Sequence, residues 1–414
     1  MATASGPRLL IYSQDGLGLG HQRRTTLLAR EFLSARSDAT VLTLCDSPLG
    51  HFFATAAGHE HLKLPSVRKV GPGDWHPVSL SMPFADVLAM RTEIIRATAE
   101  SFAPDILLVD HMPHGAMGEL VPALESLERR GVRMILGLRD ILDAPNTVRQ
   151  RWHLEGAFEA VERHYDEVLV YGSPEVFDIA TEYDWPAPLK SRLRYCGYIC
   201  APAPIRRRRR VRERLLRKNP NADVVVVMAG GGADGYPLFE TVARAVPHLL
   251  AERECAVVIV TGPFLPAHQR DRLAEMTRDL PVTLRPSVPD TLSYIDAADL
   301  VVAMAGYNTT AEILSLKTRA LLVPRSGPSA EQRLRAQAFA DRGWVHWLKP
   351  EELGERRLAD AMNAALDGPV RAAGPEPDLH GRQRAVEHLL SPAAGSFAVP
   401  GQTVLTQGAL ANEA

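Results

Sequence analysis

Short apolar runs alternate along the chain with longer stretches whose apolar positions recur at helical spacing. Residues 8–13 read as a first strand, a glycine-rich turn follows, and 21–34 has the spacing of an amphipathic helix. The β-branched run 40–44 is a second strand. Further on, 87–101 is helical in pattern, Pro104-Asp105 introduces a strand over 106–109, and a helix around 118–130 precedes strands at 133–137 and 167–171. This alternation predicts a parallel sheet covered on both faces.

The pattern then restarts. Strands are expected at 223–228, 256–261, 282–285, 300–303 and 320–324, and helices at 237–251, 265–279, 309–316 and 329–341, with a short element at 291–297. Between about 195 and 221, Pro202 and Pro204 break regular structure and Arg206 to Arg210 form an unbroken basic run. We read this segment as a linker and the arginines as the solvated start of the next helix, the alternative being contact with an anionic membrane surface or nucleic acid. The expected fold class is α/β, with two doubly wound, Rossmann-like domains at 1–200 and 201–378. A final helix at 379–390 and a tail without periodicity at 391–414, expected to be disordered, complete the chain. A ligand crevice belongs at the carboxyl ends of the strands, between the two halves.

Composition narrows the function. Basic residues number 47 against 49 acidic, a formal charge of −2, which excludes a polycationic nucleic-acid binder. No apolar run approaches the roughly 18 to 20 residues of a membrane span, and residues 9–12 are too short for the core of a secretory signal, so cytoplasmic residence is expected. Peripheral contact with a membrane stays open, as does the oligomeric state. The four cysteines are too few and scattered for a disulfide framework, and Cys196 and Cys200 lack the second pair that a structural zinc site needs. No D-x-D occurs, so no metal is expected to hold a nucleotide diphosphate.

The sharpest motif of the second half is Gly230-Gly231-Gly232-Ala233-Asp234-Gly235, between a strand and a helix. Glycines there let backbone amides approach an anion, and the helix end favours a phosphate by about 0.3–1 kcal/mol. The loop is neither a P-loop nor a G-x-G-x-x-G fingerprint. Gly306-Tyr307-Asn308-Thr309 opens the helix after strand 300–303, with Asn308 or Thr309 as cap. Glu312 either complements that helix dipole or accepts the hydroxyls of a ribose. Glu331 and Gln332 begin a third helix and offer groups suited to sugar hydroxyls, the plainer reading being a capping segment.

These residues together make the stretch from about Asp223 to Pro350 resemble the C-terminal domain of glycosyltransferase family 28, and in particular predicted bacterial glycosyltransferases related to the lipid II-forming N-acetylglucosaminyltransferase. The resemblance is weaker across the first half. It implies a GT-B fold, and a nucleoside diphosphate sugar, a UDP-sugar, as co-substrate with no other cofactor. Gly230, Gly231 and Gly232 would then face the diphosphate, beside Gly306, Asn308 and Thr309. Glu312 matches the family's ribose-binding glutamate, and Glu331 with Gln332 its donor-sugar contacts. The loop departs from the Gly-Gly-Ser-Gln-Gly form of the best-known members.

In the first half, Asp15-Gly16-Leu17-Gly18-Leu19-Gly20-His21 also links a strand to a helix. Asp46 ends the second strand where a nicotinamide reading would want an acid, but the glycine spacing is wrong for that fingerprint. The similar loop in these glycosyltransferases implies close approach of Gly18 and Gly20 to donor phosphate or acceptor. An imidazole at a helix start is disfavoured as a cation, so His21 is a candidate general base, with Asp110 to orient it or to act as the base itself. The plainer reading has His21 only capping a loop or binding phosphate. His111, His114, Arg139 and Asp140 follow first-half strands and are candidate acceptor contacts, Arg139 alternatively pairing with Asp140 or Asp143. The expected activity is metal-independent, inverting sugar transfer to an acceptor hydroxyl. A sugar-nucleotide epimerase or hydrolase, and a non-catalytic nucleotide-sugar-binding subunit, are the alternatives.

Overall fold

The computed structural model describes residues 6–15, 18–50, 52–71, 74–217, 219–288, 290–369 and 375–391. The expected tail from 392 onward lies outside them, as do Gly16 and Leu17 of the first glycine loop. Among the described residues, nine strands belong to the first half: β1 (Arg8–Ser13), β2 (Thr40–Cys45), β3 (His59–Lys63), β4 (Val67–Gly71), β5 (Asp74–Pro77), β6 (Ile106–Asp110), β7 (Arg133–Arg139), β8 (Glu167–Tyr171) and β9 (Leu193–Tyr195). Six belong to the second: β10 (Asp223–Met228), β11 (Cys255–Val260), β12 (Val282–Arg285), β13 (Leu300–Ala303), β14 (Ala320–Leu322) and β15 (His346–Trp347). The first sheet has the order β3-β2-β1-β6-β7-β8-β9 and the second β12-β11-β10-β13-β14-β15, each parallel throughout.

Both orders reverse once, at β1/β6 and at β10/β13, and such a switch point opens a crevice beyond the strand ends. The register sets Asp110 level with Ser13 on one side and Gly137 on the other. Val224 to Val227 are fully buried, as a central strand covered on both faces requires.

Several elements carry weak sequence signals. Strand β3 reads His-Glu-His-Leu-Lys, too polar for an apolar-run criterion, and sits at the sheet edge. Strands β4 and β5, for which the apolar pattern gives no signal, form an antiparallel hairpin whose Val67 and Trp75 pack with Val87 and Ala116 into a small separate core. Helices Pro145–Leu154, Ala157–His164 and Glu355–Asp367 were not anticipated. The linker is also shorter than expected: Cys196, Tyr198 and Ile199 are buried at 1% exposure or less and belong to a core shared by the two halves. Tyr198 lies against Tyr307 and Phe339, and burial of each such side chain contributes about 1.5–3 kcal/mol.

The final helix, Gly381–Leu390, returns to the first half. Arg382 pairs with Glu31 at 2.8 Å, and Arg133 donates to the carbonyl of His388 at 2.7 Å. All four cysteines are buried and free. Among the described residues no helix is long and apolar enough to cross a membrane.

Candidate active site

The loops after β1, β6 and β7 meet those after β13 and β14 across the crevice. Asn308 donates from Nδ2 to the carbonyl of Gly20 at 2.9 Å, and one turn further along each helix Arg23 pairs with Glu312. The helices Gly20–Ala35 and Tyr307–Leu316 therefore lie side by side with their N-termini together. Arg139 pairs with Glu331 at 2.7 Å, not with the nearby Asp140 or Asp143 that its sequence context offered. Asp143 accepts from the amide of Ala330 at 2.8 Å and so caps a second-half helix. Asp140 is taken by Arg335, at 2.6 and 2.9 Å, and is 1% exposed. It joins the two halves and has no free oxygen for an acceptor in this arrangement.

His21 places Nδ1 2.7 Å from Oδ2 of Asp110. Burial would raise the Asp110 carboxyl, but Arg24 and His21 outweigh it and hold the group down at about 2, so it stays ionised. Both its oxygens are engaged and it is fully buried, which leaves it unable to reach an acceptor itself. The His21 side chain is 19% exposed, and its Nε2 has no hydrogen-bond partner among the described residues.

His111 stands 5.4 Å from His21, ring centroid to centroid, on a backbone with φ of 86°. A left-handed conformation at a non-glycine strand end is strained and is often kept where it aims a side chain into a site. Burial holds the His111 imidazole well below its ordinary value, with Arg139 adding to the effect, and its Nδ1 is buried without a partner. His114 belongs to a different neighbourhood. Its electrostatic neighbours are His164, Glu155 and Glu159, so the two histidines of this loop do not converge.

The first glycine loop differs from the expected anion cradle. Asp15 accepts from the amides of His21, at 3.0 Å, and Gln22, so the helix start already holds a carboxylate. Burial pushes that carboxyl up to about 6. Asp46 is fully buried, accepts the amide of Asp15 at 2.6 Å and faces Arg91 at 3.4 Å, so it braces the loop and is not placed for a ribose.

The second glycine loop divides its labour. A side chain at Gly232, where φ is 90°, would meet the carbonyl of Thr261 at 1.9 Å, so this glycine serves loop packing. Gly230 has φ of 59° and open space around it, and the amides of Gly230 and Gly231 have no partner among the described residues. Gly306, not Asn308 or Thr309, is the N-cap of helix Tyr307–Leu316, without a side-chain cap, so the amides of its first turn are free to donate. Near these ends Arg325 donates to Asp234 at 2.7 Å, and its backbone amide donates to Gln332 at 3.2 Å. Glu312, Glu331 and Gln332 are nearly buried, and burial raises the Glu312 carboxyl against the pull of Arg23.

Arg23, Arg24 and Arg335 escaped sequence reasoning because arginines are common on solvated helix faces, and Arg325 because it lies in the loop after β14. The one available signal was Arg24, three residues after His21 and hence on the same helix face.

Comparison with known proteins finds a family likeness in the second half. Residues 224–388 match the glycosyltransferase family 28 C-terminal domain. That segment, less than half of the chain, is similar to the family's C-terminal domain. One curated relative, a UDP-N-acetylglucosamine–N-acetylmuramyl-(pentapeptide) pyrophosphoryl-undecaprenol N-acetylglucosamine transferase from Crocosphaera subtropica, is 28% identical over 151 residues, 36% of this chain. The match spans 41% of that relative's length. Among solved structures, MurG of Acinetobacter baumannii superposes with a TM-score of 0.55 at 16% identity, covering 93% of this chain and 98% of the other. The spinosyn forosaminyltransferase SpnP gives 0.60 at 15% identity, covering 93% and 99%. The whole chain thus has the GT-B fold, with the family 28-like domain facing a second Rossmann-like domain across the crevice.

Proposed function

We propose that the protein is a metal-independent, inverting glycosyltransferase that moves a sugar from a UDP-sugar to a hydroxyl of an acceptor bound by the first half. The observation that supports this best is the placement of His21, backed by Asp110, at a helix start that Asn308 ties to the uncapped helix start of the second half. In this reading Gly230, Gly231 and the first-turn amides at Asn308 and Thr309 receive the diphosphate and stabilise it as it leaves. Glu312 receives the ribose hydroxyls, and Glu331 with Gln332 the sugar. Both glutamates then exchange arginine partners, Arg23 and Arg139, for hydroxyl groups, so donor entry rearranges the contacts between the halves.

His21 Nε2 takes the acceptor proton as the acceptor oxygen attacks the anomeric carbon, and a single displacement inverts that centre. His111, beside it, and the β4–β5 hairpin border the acceptor. His114 has no part in this arrangement. Excluding water favours transfer over hydrolysis.

A calorimetric titration tests the donor half. Glu312→Ala is expected to weaken UDP binding by about 10- to 100-fold, the loss of a charged hydrogen-bonding group worth about 1.5–3 kcal/mol. Unchanged affinity would reject the ribose assignment. A chelator should leave transfer intact, and a metal requirement would overturn the metal-free route. Rapid turnover of the UDP-sugar with no acceptor present would favour an epimerase or hydrolase, and binding without turnover in any acceptor screen would favour a non-catalytic subunit.

A further inference from the structure

A third charged group shares the contact between His21 and Asp110. The Arg24 guanidinium, on the same helix and 2% exposed, donates from Nη2 to Asp110 Oδ2 at 2.6 Å and from Nε to Oδ1 at 3.3 Å. The same Nη2 lies 3.0 Å from His21 Nδ1. Its guanidinium carbon sits 5.4 Å from the ring centre of Tyr171 and 5.3 Å from that of Tyr307, one ring from each half of the molecule. We propose that Arg24 is a positioning residue for His21, fixing the Asp110 carboxylate and, as a buried cation, opposing protonation of the imidazole. The catalytic meaning of this role rests on the transferase reading; the charge arrangement does not.

The tautomer follows from counting donors. A guanidinium only donates, so its contact with Nδ1 is either a hydrogen bond to a lone pair or two donors side by side. The carboxylate oxygen 2.7 Å from Nδ1 only accepts, which puts the proton on Nδ1 and leaves the lone pair on Nε2. With His21 neutral, Arg24 and Asp110 cancel. A second proton on the ring would leave one net positive charge against a buried cation, a cost that an isolated histidine–carboxylate pair does not carry. In such a pair the carboxylate instead favours the charged ring.

Of the other groups facing His21, Asp15 alone pulls toward the charged ring. His111, from the end of β6, is held neutral, and Arg139, at the end of β7, is engaged by Glu331. Asp15, from the loop after β1, accepts from backbone amides of the helix start and, when ionised, favours the charged ring; it is present in the parent and in each variant below, so the comparison between them isolates Arg24. Asn308 reaches the Gly20 carbonyl from the opposite helix, and the phenols of Tyr171 and Tyr307 are neutral with burial raising both.

The test follows the His21 ring titration by NMR in the full chain, with the signal identified by its loss in His21→Gln. Arg24→Met should move the midpoint up by about one unit or more, and Asp110→Asn should move it down. The double variant Arg24→Met/Asp110→Asn should return it close to the parent value, and it leaves no orphaned charge should either single variant fold poorly. Arg24→Lys should keep the midpoint. If both single variants shift it the same way, or Arg24→Met leaves it in place, the proposal is wrong. The expected pattern in a protein that transfers no sugar would reject the transferase reading alone.

Discussion

Replacing His21 with alanine is expected to lower the rate of sugar transfer by about 10²- to 10⁴-fold, the range for loss of a positioned general base. UDP affinity should change little. The separation follows from geometry: His21 is held by Asp110 on the first half, whereas the residues assigned to the nucleotide lie on the second half. A Michaelis analysis combined with calorimetry reads both quantities. Equal losses in the two would make His21 a phosphate contact, and full activity would remove it from the chemistry. Asp110 does not substitute as base, because it is fully buried and both its oxygens are occupied.

The second large effect concerns the joint between the halves. Asp140→Ala leaves the Arg335 guanidinium, which is fully buried, without its counter-ion, and breaking such a pair costs about 3–5 kcal/mol. The remaining contacts of Arg335 are the carbonyls of Ala305 at 2.8 Å and Ile141 at 3.4 Å and the ring of Tyr307 at 5.8 Å, and the one other carboxylate near it among the described residues, Glu331 at 4.0 Å, is already paired with Arg139. The urea midpoint should fall accordingly. Asp140→Leu combined with Arg335→Met should recover most of the loss, since a buried pair replaced by apolar groups of similar volume is often neutral or better. Failure to recover would mean that the pair is needed for the docking geometry itself.

The strands were the most legible part of the fold. Arg8–Ser13, Glu167–Tyr171 and Asp223–Met228 stand where the apolar runs put them, because a strand buried on both faces needs a continuous apolar sequence. Edge strands β3 and β15 are half solvated and carry polar residues, so they leave no such run. Helix Glu355–Asp367 has an amphipathic pattern, but it lies after the last strand, where alternation no longer demands a helix.

Glycine loops, helix starts and the His21 and Asp110 positions could be read locally, since each depends on a few neighbouring residues and on the strand that precedes it. Charge pairing could not. Arg139 had Asp140 and Asp143 beside it in sequence and paired with Glu331, while Asp140 paired with Arg335, 195 residues away. Whether Asp15 would leave the first helix start open or cap it also depended on how the loop folded back. The sequence by itself determined two α/β halves and the residue types at their strand ends. Tertiary structure alone decided which carboxylate neutralises which arginine, because buried charges take whatever partner the docking of two domains brings within reach.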